Sequence, residues 1–220
     1  MPNSSGIKRK NMTFDPEFKK ALQSLADKEK DKLILRLLRS NLPLANRLRF
    51  ELVDTDSVED KREQVRLRVI KRIRQAVERY YSAGYLLMDV REISGEINEH
   101  VAVTKDKQGE ISLNCIMLRQ LLEQSNERIA MEKRGRSYTL CIYIVARVFK
   151  VLMLMQKQHE DLHLEFRDDI EAIGVLIGRN HNLMQVAIDN GLDVSWLVRF
   201  DIPQDVASIY RDLRDNGLLR

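Results

Sequence analysis

Glycine, proline and aromatic residues are scarce in this chain. Its 220 residues include nine glycines, four prolines and one tryptophan, and aromatic side chains make up 6% of the sequence. A β-sandwich or barrel needs many short strands joined by glycine- and proline-rich turns, so this composition argues against both folds. Hydrophobic residues account for 44% of the chain, which argues against intrinsic disorder. The composition instead suits a packed helical protein, and the chain is long enough to bury a core.

Cysteine is also rare, and the N-terminus has no apolar segment. Cys115 and Cys141 are the two cysteines, and both lie in apolar stretches. We expect two free, buried thiols in a reducing compartment, since cytosolic proteins seldom use structural disulfides. Residues 1–13 are polar and carry Lys8, Arg9 and Lys10 with no apolar run after them, so we predict a flexible polar tail and no secretory signal. These features together predict a cytoplasmic protein.

One stretch, Tyr138 to Met155, is apolar enough to raise the question of a membrane span. Its length is near the minimum for crossing a bilayer. However, Arg147 and Lys150 lie within it, and each would cost roughly 2.5–3.5 kcal/mol near the bilayer centre. The stretch is therefore interpreted as a buried core helix, and no membrane partner is expected.

Helix signals divide the N-terminal part of the chain into three short helices. Asp15 followed by Pro16 is typical of a helix start, and this first helix is predicted to end near residue 25. A second helix follows from Asp27 to about residue 40, and Pro43 opens a third. Residues 14–54 are thus predicted to form a compact unit of helix hairpins.

The rest of the chain is predicted to form two further helical sub-units, 57–132 and 137–217. A cap at Ser57 opens a long helix to about residue 82, where Gly84 ends it. The polar turn 104–109 joins either two helices or two short strands, 101–103 and 111–113, and the helical alternative is favoured. Residues 137–178 are predicted to form one long helix, because their apolar positions keep a spacing of three to four.

These sub-units indicate a single all-α domain over residues 14–217. No fixed repeat period stands out in the sequence, although pairs of unequal helices are compatible with an irregular α-solenoid. A closed helical bundle is the alternative, and short connections favour antiparallel neighbours in both. We therefore predict stacked helical hairpins arranged as an irregular solenoid or as a bundle.

Residues 18–53 resemble the opening of an uncharacterised bacterial family of all-helical proteins. The stretch reads FKKALQSLADKEKDKLILRLLRSNLPLANRLRFELV. It has a short helix, a charged K-E-K-D turn and a third helix with alternating apolar residues. The resemblance covers about one sixth of the chain and implies an all-helical fold, but it implies no established activity.

Some proteins of that kind carry a deoxyuridine triphosphate nucleotidohydrolase name. All-helical enzymes of this type use E-x-x-E and E-x-x-D motifs, whose four carboxylates hold magnesium against the triphosphate. Glu96 with Glu99, and Glu165 with Asp168, have those spacings, but the two pairs lie too far apart for one helical hairpin. An acidic nucleotide-hydrolase site is therefore kept as an alternative that requires the fold to unite them.

A second chemical motif is the H-E-x-x-H string from His159 to His163. Histidines four residues apart on an α-helix lie about 6 Å apart on one face and can share a zinc ion, with Glu160 as a base. Against this, Asp161 places a charge inside the motif, no third histidine follows at the extended spacing, and no glutamate follows Glu171. The two histidines are interpreted as core or interface residues, and a metal site at His159 and His163 is the less favoured alternative.

A basic strip is predicted on the helix over residues 61–79. Arg68, Lys71, Arg72 and Arg79 lie away from the apolar line through Ile73, so we expect them to face solvent. Such a strip can neutralise phosphates, and a sequence pI of about 9.0 with a net charge of +4 agrees with nucleic-acid binding. No recognition motif accompanies the charge, which favours an ordinary solvated face.

The sequence therefore favours a non-catalytic helical interaction or scaffold protein with an unidentified protein partner. No catalytic residue and no cofactor are assigned. Nucleic-acid binding through the basic strip is the first alternative, and a metal-dependent hydrolase is the second. Self-association through the apolar line from Val145 to Ile173 is compatible with each of them.

Overall fold

The computed structural model describes residues 14–219, and within this range the fold is all-α. The predicted tail 1–13 lies outside the described residues. The chain forms eleven α-helices and one 3₁₀-helix, with no strand in the described range. Their bounds are α1 Pro16–Ser24, α2 Asp27–Ser40, α3 Leu42–Leu52, α4 Val58–Glu78, α5 Ala83–Thr104, α6 Lys107–Met131, α7 Arg134–Met155, the 3₁₀-helix Glu160–Phe166, α8 Arg167–Gly178, α9 His181–Asp189, α10 Ser195–Val198 and α11 Val206–Asp215.

Helix α6 is the centre of the core. It packs against α4, α5, α7, α8 and α9, so neighbouring helices surround it on several sides. Its buried side chains cover most of its circumference, and they include Leu113, Cys115 and Leu118. Glu123 and Glu127 lie on the narrow face that stays exposed. A helix that is buried on most of its faces belongs to the interior of a bundle. Residues 54–219, called the body below, are therefore a bundle built around α6.

A buried charge network fixes the junction of α4, α5 and α6. Asp106 is the N-cap of α6, and its Oδ1 accepts a hydrogen bond from the Gly109 N–H at 2.8 Å. Arg62 of α4 donates two hydrogen bonds of 2.7 Å to the same carboxylate, and His100 Nε2 of α5 lies 3.1 Å from its Oδ2. The Asp106 and His100 side chains are each only 3% exposed. The carboxylate thus joins three helices at one buried point.

Burial alone raises the pKa of Asp106, because it disfavours the charged form. Hydrogen bonds from His100, Arg62 and the Gly109 amide outweigh this effect. The pKa of Asp106 therefore lies well below its ordinary value of 3.8. The Asp106 carboxylate is therefore ionised at neutral pH, and the Arg62 guanidinium balances its charge.

The three N-terminal helices form a separate layer, called the arm below (residues 14–53). Helix α3 packs against α5 of the body and against α2. None of the three helices contains a buried residue. Local caps define them, since Asp15 accepts from the Phe18 N–H at 2.7 Å and Asn41 accepts from the Leu44 N–H at 3.2 Å. The predicted bounds of these helices are confirmed.

The prediction of one long helix over 137–178 is wrong. Helix α7 ends at Met155, and a turn, the 3₁₀-helix and α8 replace the expected continuation. The sequence from Gln156 to Asp161 contains six polar residues in a row, so a continued helix would have no apolar side chain to bury there. The chain turns instead, and Gln156 donates a hydrogen bond to the Pro203 carbonyl.

Two smaller expectations about α5 are resolved. The chain breaks at residues 79–82 and not at Gly84, because Ser82 acts as the N-cap of α5 through the Tyr85 N–H at 3.4 Å. The turn after α5 joins two helices, which confirms the helical alternative over strands at 101–103 and 111–113.

By length and composition alone, α7 is the one helix within residues 14–219 that could cross a membrane. Residues that make up 56% of its most apolar window are buried inside the protein, where α7 packs against α5, α6, α9 and α11. Cys115 and Cys141 are both free and buried, as expected. Arg147, inside the apolar stretch, donates to the Tyr143 hydroxyl at 2.6 Å and so has a partner within the fold.

Candidate interaction surface

The arm exposes an unusual density of large apolar side chains. The described chain has nineteen such residues, and nine of them lie between residues 14 and 53. Leu52 is 78% exposed, Leu42 67% and Leu35 57%. The nine are Phe14, Phe18, Ile34, Leu35, Leu37, Leu42, Leu44, Leu52 and Val53. The arm, which makes up about a fifth of the described residues, thus carries almost half of their exposed large apolar side chains.

The exposed apolar area of the arm can be estimated from these fractions. Full burial of a Val, Leu, Ile or Phe side chain is worth about 1.5–3 kcal/mol at about 25 cal/mol per Å², which corresponds to about 60–120 Å² each. Nine residues that are exposed by about half therefore leave about 300–600 Å² of apolar surface in water. These side chains are distributed along the whole arm, and this total is comparable to the largest apolar patch of an ordinary monomer, which is often functional.

Helix α2 combines this apolar surface with positive charge. Lys28, Lys32, Arg36 and Arg39 follow a spacing of four, four and three, so they share one face of the helix. None of the four forms an ion pair with a described carboxylate; the ion pair within α2 joins Lys30 and Asp27 at 3.5 Å. These four residues are called the α2 cations below.

A shallow groove runs beside the α2 cations. It has a volume of about 490 Å³ and is lined by Leu25, Glu29, Lys32, Leu33 and Arg36. Leu25 and Leu33 are half-buried and provide the apolar part, while Lys32 and Arg36 provide positive charge. Glu29 Oε2 accepts from the Ala26 N–H at 3.2 Å, so this carboxylate caps its own helix. The groove is therefore apolar in its lining and cationic along one side.

The predicted basic strip on α4 is partly neutralised by α5. Arg72 donates to Glu92 at 2.8 Å and also bonds Glu96, and Arg68 lies 3.8 Å from Glu96. Arg72 is 34% exposed, so it faces solvent only in part and shares its charge with α5. These pairs follow the antiparallel register of the α4–α5 hairpin, since the two helices bring residues 68 and 72 opposite residues 96 and 92.

Three of the four members of the strip remain at the surface, since Arg68 keeps 55% of its side chain exposed. Arg79 is exposed and bends back to donate to the Gln75 carbonyl at 3.2 Å. Lys71 is exposed and has no ion-pair partner among residues 14–219. Half of the strip, Arg68 and Arg72, therefore forms an ion-pair seam between α4 and α5, and less of its charge is available for phosphates than the sequence indicated.

The histidine pair does not have the geometry of a helical zinc motif. His159 is the N-cap of the 3₁₀-helix, and its side chain is 76% exposed, so the interpretation as a core residue is wrong for His159. His163 Nε2 lies 2.7 Å from the Met155 carbonyl oxygen, which occupies that ring nitrogen. Within residues 14–219 no group of three His, Cys, Asp or Glu side chains is placed to hold a metal ion.

The four candidate carboxylates are also engaged separately. Glu96 binds Arg72, Glu99 accepts from Asn46 at 3.4 Å, and Glu165 accepts from Gln108. Asp168 lies in the first turn of α8 and is exposed. Since no metal-holding cluster forms in the described part of the chain, the fold does not unite the two carboxylate pairs.

A cavity of about 410 Å³ lies where the arm meets the body, between α3, α4 and α5. Its lining includes the cations Arg49, Lys61 and Arg68 and the anions Asp54, Glu96 and Glu99. Lys61 binds Asp54 at 2.7 Å, and it also binds Asp56 at 2.9 Å. Because the charges balance and mostly pair with each other, the cavity indicates no particular class of ligand.

Sequence reasoning missed the exposure of the arm and the Asp106 network. The apolar and basic positions of α2 were visible as a helical pattern, but the pattern cannot say whether another helix covers the apolar residues. For the network, the aspartate just before Lys107 was a helix-start signal, although nothing in the sequence linked it to Arg62 or His100.

Comparison of the chain with protein-family models, curated proteins and solved structures found no match. The resemblance of residues 18–53 to an uncharacterised bacterial family therefore stays a prediction.

Proposed function

We propose that this chain is a non-catalytic interaction protein that binds a protein partner through its arm. The proposal rests on the difference in side-chain burial between the arm and the body. Helices α4 to α9 each bury several side chains, whereas the arm buries none and still carries nine exposed large apolar residues, seven of them in α1, α2 and α3. Such a surface gains free energy only when something covers it.

The arm also has the size that a partner interface requires. Specific interfaces bury about 800 Å² on each partner, and slightly more than half of that area is apolar. The estimated 300–600 Å² of exposed apolar surface on the arm is close to this apolar share. The body supports the arm through the contact of α3 with α5, so the surface is held on a packed scaffold.

The two alternatives have less support. Nucleic-acid binding through the α4 strip would have to compete with the pairing of Arg68 and Arg72 to Glu92 and Glu96. A hydrolase would need ligands that the fold holds together, and neither His159 with His163 nor the four carboxylates form such a group.

The test compares partner capture by two triple variants of the full chain. The arm variant is Leu35→Ser/Leu42→Ser/Leu52→Ser. The matched control is Met88→Ser/Leu164→Ser/Ile188→Ser, whose residues are 60%, 65% and 58% exposed on the body. All six residues are exposed, so both variants should keep the unfolding midpoint of the wild type to within a few degrees.

We expect one protein to be captured by the wild type and by the control variant, and not by the arm variant. Binding of that protein is then measured with both purified components, and we expect the arm variant to lose at least about tenfold in affinity. Retention of the same proteins by all three chains would contradict the proposal, as would loss through the control variant alone.

A further inference from the structure

We infer that the partner of the arm presents an acidic amphipathic helix, which binds along α2. The inference rests on the proposed function, since it specifies the chemistry of the partner at the same surface. Its basis is the juxtaposition of the α2 cations with the groove formed by Leu25 and Leu33, which lies on the same side of α2.

The α2 cations have the length and spacing of a helix-recognition surface. Lys28 and Arg39 are eleven residues apart, which is about 16 Å along the helix axis or three turns. A partner helix with carboxylates at spacings of three and four residues presents them over the same length. Each α2 cation is free of described carboxylates, so no internal ion pair has to break when the partner binds.

The groove beside the cations suits an apolar side chain of such a helix. Leu25 and Leu33 line it, and Lys32 and Arg36 stand at its edge. A leucine of the partner in this groove would be flanked by carboxylates that reach Lys32 and Arg36. This is the arrangement of a helix-in-groove interaction, in which apolar anchors give affinity and charges give orientation.

The overall charge of the arm agrees with an acidic partner. Residues 14–53 contain nine basic and six acidic residues, so the arm is net positive. A second copy of the arm would bring two net positive surfaces together, whereas an acidic helix would complement the charge.

Two other anionic surfaces fit α2 less well. A lipid surface requires an apolar face that enters the acyl region, but Asp27 and Asp31 lie on the face that carries Ile34 and Leu35, and burying carboxylates there is costly. A nucleic-acid backbone would use the cations and leave the apolar groove uncovered.

The test uses two labelled helical peptides and the full chain. Both peptides carry leucines at positions i, i+3, i+4 and i+7; one has glutamate at the flanking positions and the other has lysine. Fluorescence anisotropy measures their affinity for the wild type, for Lys32→Glu/Arg36→Glu, and for the control Lys71→Glu/Lys157→Glu, which changes exposed lysines on the body. Light scattering reports the oligomeric state of each chain.

We expect the glutamate peptide to bind the wild type at least about tenfold more tightly than the lysine peptide, with affinity that falls as salt is added. Lys32→Glu/Arg36→Glu should reverse this preference, and the control should stay within about twofold of the wild type.

Four outcomes would overturn the inference. The first is equal binding of both peptides, and the second is a loss of binding confined to the control. The third is that neither peptide binds, while anionic vesicles or a single-stranded oligonucleotide bind the wild type and not Lys32→Glu/Arg36→Glu. The fourth is a dimer that dissociates when Leu35, Leu42 and Leu52 are replaced by serine.

The proposed function fails separately. If both peptides bind equally and the Leu35→Ser/Leu42→Ser/Leu52→Ser variant loses both, the arm is a protein-binding surface without selection for acidic helices. If no protein or peptide depends on the arm, the proposed function is wrong as well.

Discussion

Replacing Asp106 by alanine should cost about 3–4 kcal/mol of the free energy of unfolding. The change removes a carboxylate whose side chain is 3% exposed and which accepts from Arg62, His100 and the Gly109 amide. Breaking a buried ion pair by removing one partner typically costs about 3–5 kcal/mol. Arg62 remains 23% exposed, so water can hydrate its charge in part and the cost falls toward the lower end. Loss of the N-cap of α6 adds about 1 kcal/mol.

Urea unfolding measures this loss of free energy. An unchanged dependence of the free energy on urea concentration would show that the variant exposes the same surface on unfolding as the wild type. For a chain of this length the loss corresponds to a fall in the melting temperature of about 10 °C. The matched control is Glu63→Ala, which removes an exposed carboxylate that accepts from Arg66 at 2.6 and 2.9 Å. We expect the control to cost less than about 1 kcal/mol, because surface ion pairs contribute little.

The pH dependence of this difference has a definite sign. The folded pKa of Asp106 lies below the ordinary value of 3.8, so the ionised form is favoured in the folded state. Its contribution is therefore fully present above that value and is lost as the pH falls toward the lowered folded pKa. The difference between wild type and Asp106→Ala should stay constant from pH 8 to about pH 5 and shrink below about pH 4. A cost for Asp106→Ala no larger than that for Glu63→Ala would refute the reasoning.

Three further predictions concern the body. Burial raises the pKa of the Cys115 thiol and raises that of Cys141 to about 11, so neither should react with a thiol reagent at pH 8 until denaturant is added, when two should react. Gly174→Ala should lower the free energy of unfolding by about 1–3 kcal/mol, because the new methyl group would lie 2.7 Å from Leu197 Cβ and 3.0 Å from the Val198 backbone nitrogen. In Gly95→Ala the new methyl group meets no atom within 4 Å, so this change should stabilise α5 by about 0.5–1 kcal/mol in thermal unfolding. Arg72→Glu should lower stability by about 1–3 kcal/mol by facing Glu92 and Glu96, whereas Lys71→Glu should change it by less than about 0.5 kcal/mol; equal effects in urea unfolding would show that the ion-pair seam does not hold α4 to α5.

Much of the fold was predictable from local signals. The predicted caps Asp15 and Ser57 mark the starts of α1 and α4, and Pro43 marks the start of α3 to within one residue. The prediction fails where a local apolar spacing continues through residues that the fold cannot bury. The apolar spacing from Val145 to Ile173 indicated one helix, but the polar run after Met155 cannot be buried, so the chain turns.

The candidate surface was less predictable than the fold. A helical wheel places Arg72 on the outer face of α4, and only the position of α5 shows that Glu92 and Glu96 cover it. The same limit applies to α2, where the sequence identifies an apolar face but not that most of it stays exposed. Exposure depends on what packs against a helix, and that information lies in other parts of the chain.

The most direct test of the arm as a binding surface is amide hydrogen exchange of the full chain, alone and saturated with the protein that it captures. In the isolated chain, the backbone amides of residues 14–53, where no side chain is buried, should exchange rapidly, and those of α6 should exchange slowly. With the partner bound, new protection should be concentrated in the arm and be largest in α2. Protection that appears on the α4–α5 face while the arm is unchanged would contradict the account.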